Sequence, residues 1–206
     1  AASDVYKRQV HIGILLVQSV INSFGSTAIA GYSAGMRIES LSIVPMLAMG
    51  NAMSTFTAQN MGAGKIDRVK EGYRMCYVIV LTAGAVLCIM YQLAGGAFVS
   101  LFLDSGSSEA YSVGLSYVKF LSFFYSFIGL KASTDGLLRG AGDVTAFTVA
   151  NLVNLAIRVS VTNLFAPIYG IQVAWMAVPL GWAANYVISF GWYLTGKWKK
   201  VRVIKK

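Results

Sequence analysis

Long apolar segments alternate along the chain with short polar connections. No charged residue interrupts residues 41–61 or residues 75–103, and a helix needs about 20 mostly apolar residues to cross the hydrocarbon of a bilayer. The short basic connection at 62–74 opens with glycines, which suit the end of a helix. Asp67 follows and suits the start of the next helix. The pattern therefore predicts two membrane spans joined by a tight loop.

The same alternation extends over the whole chain and predicts six spans. They lie at about 10–26, 30–61, 73–94, 111–133, 144–165 and 171–195. The chain is 56% hydrophobic and 12% charged, whereas soluble domains carry about 25% charged residues, which excludes a soluble protein. The predicted fold class is an all-α, polytopic membrane bundle: residues 10–196 form the six-helix unit and 197–206 a basic tail. Residues 1–9, polar and without an initiator Met, are interpreted as a foreign or scarred beginning.

Basic residues are concentrated in loops that the six spans place on one side of the membrane. They are Lys65, Arg68, Lys70 and Arg74 in the first such loop, Lys131 and Arg139 in the second, and Lys197, Lys199, Lys200, Arg202, Lys205 and Lys206 in the tail. The positive-inside rule then places both ends of the chain in the cytoplasm. This location accounts for the net charge of +9, so we expect membrane lipid rather than nucleic acid as the partner. The predicted location is the cytoplasmic membrane.

Polar side chains within the predicted spans are the candidates for function, because they are costly in hydrocarbon. The residues selected for a substrate or ion cavity are Gln18, Asn22, Glu39, Asn151, Asn154 and Arg158. The last three recur at spacings of 3 and 4 and share a helix face. This face either lines a cavity or bonds to other helices, since amides commonly join membrane helices. Glu39 either binds a proton, a sodium ion or a cationic substrate, or it neutralises Arg37 or Arg158.

Two loop motifs repeat the sequence Gly-Ala-Gly. The structural residues of the first loop are Gly62, Gly64 and Arg68, and those of the second loop, predicted at 137–143, are Arg139, Gly140 and Asp143. The second loop also contains Gly-x-Gly-Asp, a pattern of intramembrane aspartyl proteases, which need a second membrane-embedded Asp. The other aspartates, Asp135 among them, are predicted to lie at span ends or in loops, so a glycine turn capped by Asp143 is favoured.

Other enzyme signatures are absent from the sequence. His11 is the only histidine, which excludes an internal Ser-His-Asp triad and the histidine motifs of zinc hydrolases. No catalytic residue and no cofactor is predicted.

Several segments resemble the MATE (multidrug and toxin extrusion) family. They are Val-Ile-Asn-Ser-Phe-Gly at 20–25, Arg-Ile-Glu-Ser at 37–40, Gln-Asn-Met-Gly-Ala-Gly at 59–64 and Leu-Arg-Gly-Ala-Gly-Asp at 138–143. Specifically, they are similar to the C-terminal six-helix lobe. The resemblance implies a twelve-helix antiporter that exchanges protons or sodium ions for organic cations, with an N-terminal lobe as the missing partner.

The resemblance also leaves one departure and one alternative. Some family members carry an ion-binding Asp midway along the tenth helix, and the corresponding residues 123–130 contain no acid. The coupling of transport to an ion would then depend on Glu39 or on the other lobe. The alternative is a flippase of lipid-linked oligosaccharides from the same superfamily, whose anionic cargo would use Lys119 and Arg158. A cavity lined by acids favours cation efflux, and a cavity lined by bases favours the flippase.

Overall fold

The computed structural model describes residues 13, 15–104 and 108–200, and these residues are arranged as helices. Residues 15–22 form α1. The later elements are α2 (Ser26–Gly62), α3 (Ile66–Ser100), α4 (Ser108–Ser122), α5 (Tyr125–Gly140), α6 (Val144–Tyr169), α7 (Gln172–Leu194) and the 3-10 helix η1 (Lys197–Lys200). The proposed foreign beginning at 1–9, and the tail after residue 200, lie outside the described residues.

The helices confirm an all-α, polytopic membrane bundle. Helices α2, α3, α6 and α7 are each long and apolar enough to cross a membrane. Helices α4 and α5 pass the same criterion only together, with a bend of 53° between them, which is the geometry of a broken span or of a re-entrant loop. The first predicted span, 10–26, lies partly outside the described residues, of which 15–22 are helical.

Two predicted helix ends were wrong because the glycines there are packing residues and not terminators. Helix α3 continues through Gly95 to Ser100, and α5 continues to Gly140, so the second loop contains only residues 141–143. A Cβ at Gly136 or Gly140 would press into the backbone of α2, at the carbonyl oxygens of Gly50 and Ser54. Small residues of this kind let membrane helices approach closely. They therefore hold the backbones of α2 and α5 in contact.

The two Gly-Ala-Gly motifs form the same backbone turn. Gly64 has a φ of +70° and Gly142 a φ of +85°. The Lys65 N–H donates to the Asn60 carbonyl at 2.8 Å, and the Asp143 N–H donates to the Leu138 carbonyl at 2.9 Å. This six-to-one bond after a left-handed residue is the Schellman arrangement that ends many helices. The Gly-Ala-Gly motif thus occurs twice for the same physical reason: at each place one helix ends and another begins within three residues.

Three of the four glycines in these motifs, Gly62, Gly64 and Gly142, give a matched test of the turn geometry. We expect Gly64→Ala and Gly142→Ala each to lower the free energy of unfolding by about 1 kcal/mol, because a left-handed conformation strains any residue with a Cβ. Gly62 lacks a positive φ, and a Cβ there would meet nothing within 4 Å, so Gly62→Ala should be neutral. Thermal unfolding of the purified full-length protein measures all three, and equal effects would contradict the assignment.

Candidate functional site

A cavity of about 230 Å³ lies between α1, α2 and α6. Its walls carry both apolar and polar side chains, and the polar ones are Gln18, Tyr32, Glu39, Ser40 and Arg158. Two of them, Glu39 and Arg158, carry formal charges of opposite sign. Glu39 and Arg158, both predicted to lie within membrane spans, therefore line the same cavity.

Glu39 is buried, with 9% of its surface exposed, and it accepts a hydrogen bond from the hydroxyl of Tyr117. Among the described residues, no Lys or Arg nitrogen lies within 4.0 Å of its carboxylate. Arg158 acts on Glu39 electrostatically without touching it, and Arg37 lies 5.9 Å from the centre of the Phe102 ring instead. The direct ion pair considered for Glu39 is therefore not formed.

Tyr117 is held in place by packing on three sides. Its ring meets Tyr32 edge-on at 5.3 Å and Trp175 at 5.5 Å. A Cβ on Gly35 would come within 2.6 Å of the Tyr117 ring, so this glycine lets α2 approach α4. Sequence reasoning missed Tyr117, because one tyrosine in an apolar helix carries no signal of its partner. The result is a buried carboxylate with a fixed donor and an open side toward the cavity, which suits it to bind a proton or a cation.

The structure brings together three of the six residues selected for the cavity, namely Gln18, Glu39 and Arg158. Asn22 is exposed and receives a hydrogen bond of 2.9 Å from the Gln18 amide. Asn151 bonds to side chains of α5, and Asn154 lies against Gly181 of α7. These three asparagines do not line this cavity, and their role in a substrate path stays a prediction.

The prediction that Asp135 lies at a span end was wrong. It lies within α5, is 4% exposed and forms an ion pair of 2.9 Å with Lys131. Its other oxygen accepts a hydrogen bond of 2.6 Å from Ser189. The error follows from ending the span at residue 133, whereas α5 continues for about two more turns to Gly140. The spacing of four between Lys131 and Asp135 is a sequence signal for such a pair.

The loop-motif residues connect helix ends. Arg139 donates to Asn51 of α2 at 2.7 Å, and Asp143 accepts a hydrogen bond of 2.7 Å from the Trp192 indole of α7. Asp143 also caps α6, as predicted. Arg68 is exposed at the start of α3. These contacts place the α5–α6 turn beside the end of α7.

Substitution of Asp143 separates a helix cap from a catalytic acid. We expect Asp143→Ala to lower the free energy of unfolding by about 1 kcal/mol, the usual value of a lost N-cap. Asp143→Asn should stay close to the wild type, because asparagine caps equally well. Thermal unfolding compares the two variants. In an aspartyl protease, both changes would abolish cleavage alike. The structure does not show the paired carboxylates that such an enzyme needs, because Asp143 and Asp135 have different partners and share no hydrogen bond.

Known proteins resemble this chain in sequence and in fold. The family model described as MatE matches residues 10–165. The "Probable multidrug resistance protein YpnP" of Bacillus subtilis is 28% identical over 192 residues, covering 93% of this chain and 43% of that protein. The "Probable multidrug resistance protein NorM" of Thermotoga maritima is 22% identical over 203 residues, covering 94% and 42%. The chain thus spans less than half the length of these relatives.

The fold is shared with a solved structure described as the outward-facing conformation of a multidrug resistance MATE family transporter of the MOP superfamily. The TM-score is 0.84 at 16% sequence identity, over 92% of this chain and 42% of the other. At that identity the likeness establishes the fold alone. The match again extends over somewhat less than half of the larger protein.

Proposed function

Since the chain belongs to the MatE family, we propose that it is one half of an efflux transporter that exports organic cations in exchange for a proton or a sodium ion. The family comprises transporters and not enzymes. The similar proteins named for multidrug resistance are more than twice as long as the matched segment, which supports a missing second lobe. From the resemblance of its motifs, we assign the chain to the C-terminal lobe.

The observation that carries this proposal is Glu39 in its cavity. An ionised carboxylate attracts a cationic drug, and a protonated one does not, so a proton and the drug compete for one site. Competition of this kind couples the entry of one cation to the release of the other. The Tyr117 hydroxyl holds the carboxylate in position, and no contacting ammonium or guanidinium group of the described residues neutralises it.

Among the described residues, one acid and one base line the cavity, so their formal charges balance and do not by themselves select a cargo. The flippase alternative would need Arg158 and Lys119 on the same path. Lys119 does not line the cavity; it lies across from Gly95, at the contact between α3 and α4. Only one of the two cations faces the cavity, which favours cation exchange over transport of a lipid pyrophosphate.

The assignment of Lys131 to a loop was wrong, because it lies within α5 and pairs with Asp135. The other basic residues of the loops and tail support an orientation with both ends in the cytoplasm. The Trp192–Asp143 hydrogen bond brings the end of α7 to the α5–α6 turn. Lys199 of η1 interacts electrostatically with Asp67, just after the α2–α3 turn. The basic loops therefore gather at one end of the bundle, and positive charge of this kind faces the cytoplasm and its anionic lipids.

The experiment is expression of the full-length gene in a bacterial strain whose own multidrug pumps are deleted. We expect increased resistance to cationic drugs and faster loss of a fluorescent cation such as ethidium from loaded cells. An unchanged sensitivity, with the protein present in the membrane, would contradict the proposal. If the cells instead translocate a lipid-linked oligosaccharide and still accumulate ethidium, the flippase is the correct function.

A further inference from the structure

A second charged cluster lies among α5, α6 and α7, outside the Glu39 cavity. Lys131 and Asp135 form an ion pair of 2.9 Å, and their side chains are only 12% and 5% exposed. Neither residue lines the cavity that contains Glu39 and Arg158. Two charges withdrawn from water are expensive, and within a membrane they usually mark an ion path or a proton relay. The fold alone does not explain why they are here.

The groups around the Asp135 carboxylate are hydrogen-bond donors. Ser189 donates to Oδ1 at 2.6 Å, while Lys131 and the Asn151 amide donate to Oδ2 at 2.9 and 3.3 Å. A carboxylate has about four acceptor positions, so one remains after these three bonds. A metal cation would need a shell of several oxygen ligands at this point, whereas a proton needs one lone pair. These donors disfavour a metal cation and stabilise the ionised carboxylate, so a proton would bind here in competition with the Lys131 ammonium group on Oδ2.

Arg139 lies one turn beyond Asp135 on α5, but it donates to Ser54 and Asn51 of α2. The ionisable groups that neighbouring helices bring to this part of α5 are hydroxyls and a thiol. Tyr73 and Tyr77 of α3 bond to Thr134, and Tyr77 also bonds to Tyr186 of α7. Cys76 of α3 bonds to Ser133. Helix α2 meets this part of α5 through Gly50, and its ionisable residues, Tyr32, Arg37 and Glu39, lie three or more turns from Gly50 along the helix. Lys131 is thus the cation that balances Asp135.

Protonation of Asp135 would change the position of Lys131. Its ammonium group also donates to the Asn151 carbonyl oxygen, at 3.1 Å. Once Asp135 is neutral, only neutral acceptors remain beside Lys131, and a buried cation without a counter-charge is strongly disfavoured. The ammonium group must then leave its place between α5 and α6. A proton on one atom therefore rearranges the contact between two membrane-spanning helices.

A polar seam connects this cluster with the cavity. Ser189 lies within 3.4 Å of the Asn185 carbonyl oxygen, one turn along α7. The buried Asn185 amide nitrogen and the Asn154 carbonyl oxygen of α6 have no partner in the structure. A Cβ on Gly181 would collide with Asn154 and come within 3.0 Å of the Arg158 side chain. Together with Arg158, which lines the cavity, these groups form a line of polar side chains on α6 and α7 between the cavity and Asp135.

We propose that Asp135 is a second proton-binding site of this half and that proton uptake there frees Lys131. This inference rests on the proposed function only where it links the proton to drug export. Binding of a proton by Asp135 does not itself require a drug. The ligand of this site is a proton, the group that binds it is the Asp135 carboxylate, and Lys131 is the counter-ion that is displaced.

The test is infrared difference spectroscopy of the purified full-length protein between alkaline and acidic pH, which detects the C=O stretch of a newly protonated carboxyl group. We expect Asp135→Asn to lose one carboxyl band that Glu39→Gln retains. Lys131→Gln should shift the pH at which that band appears. The matched control is Asp67→Asn, since Asp67 forms an exposed pair of 2.7 Å with Lys70 and should leave the Asp135 band unchanged.

A double variant that lacks both the Lys131 and the Asp135 charge is the control for misfolding of the single variants. Removing one partner of a buried pair leaves an unpaired charge, whereas a neutral pair of similar shape is often tolerated. The double change of Lys131→Gln with Asp135→Asn should therefore fold, and its spectrum should lack the same band. An acid-induced spectrum identical to that of the wild type in the double variant would overturn the proposal. A transporter with a different cargo would leave the infrared result intact, so the two proposals fail separately.

Discussion

Glutamine in place of Glu39 is expected to reduce active export to the level of cells that lack the transporter. The amide keeps the size and the hydrogen-bonding capacity of the side chain, but it can neither release a proton nor attract a cation by charge. If a proton and the drug exchange at this carboxylate, the variant cannot couple one to the other. The protein should still fold, since a neutral group is easier to bury at this place than an ionised one.

The measurement is ethidium efflux from cells that express the full-length variant at the wild-type level. Glu71→Gln is the matched control, because Glu71 is an exposed acid near the start of α3 and should export normally. Normal efflux by the Glu39 variant, with an unchanged dependence on external pH, would remove Glu39 from the coupling mechanism. In that case, export would be coupled to the ion through the other lobe or through Asp135.

Alanine at Gly136 is expected to cause the largest loss of folded protein. Its Cβ would overlap the carbonyl oxygen of Gly50, which is backbone and cannot turn away. Helices α2 and α5 would have to separate, and overpacking of this kind costs about 3 kcal/mol. Because α2 carries Glu39, the same displacement would also disturb the cavity.

Gly191→Ala is the control for this prediction. Gly191 also lies within a membrane-spanning helix, α7, but a Cβ there would meet nothing within 4 Å. We expect a large decrease in the thermal midpoint and in membrane yield for Gly136→Ala and no decrease for Gly191→Ala. Similar behaviour of the two variants would mean that close contact between α2 and α5 is not required.

The sequence alone predicted the spans well, because hydrocarbon imposes a length and a composition that appear in any single segment. It was less reliable where packing between helices decides. Gly95 and Gly96 look like terminators in a linear sequence, yet α3 continues past both of them to Ser100. The error at Asp135 has the same origin, since its span was ended too early. Such contacts depend on a second helix that a single-helix pattern does not contain.

The candidate site was predictable in part for a related reason. Asn151, Asn154 and Arg158 were placed correctly on one helix, but α6 meets different neighbours along its length. Asn151 lies at α5, and Arg158 reaches the cavity beside α1 and α2. Helical spacing predicts that side chains share a face, and it does not predict which helix covers each part of that face. Glu39 was identifiable because an acid within an apolar span is costly wherever it points.

The central claim, that this half takes part in exchange of a cation for a drug at Glu39, is tested most directly in vesicles. The purified full-length protein is reconstituted, and uptake of ethidium is followed after imposing a proton gradient or a sodium gradient in separate samples. We predict rapid uptake driven by one of the two gradients in the wild type and none in Glu39→Gln. Gradient-driven uptake by the Glu39→Gln protein at the wild-type rate would contradict the account.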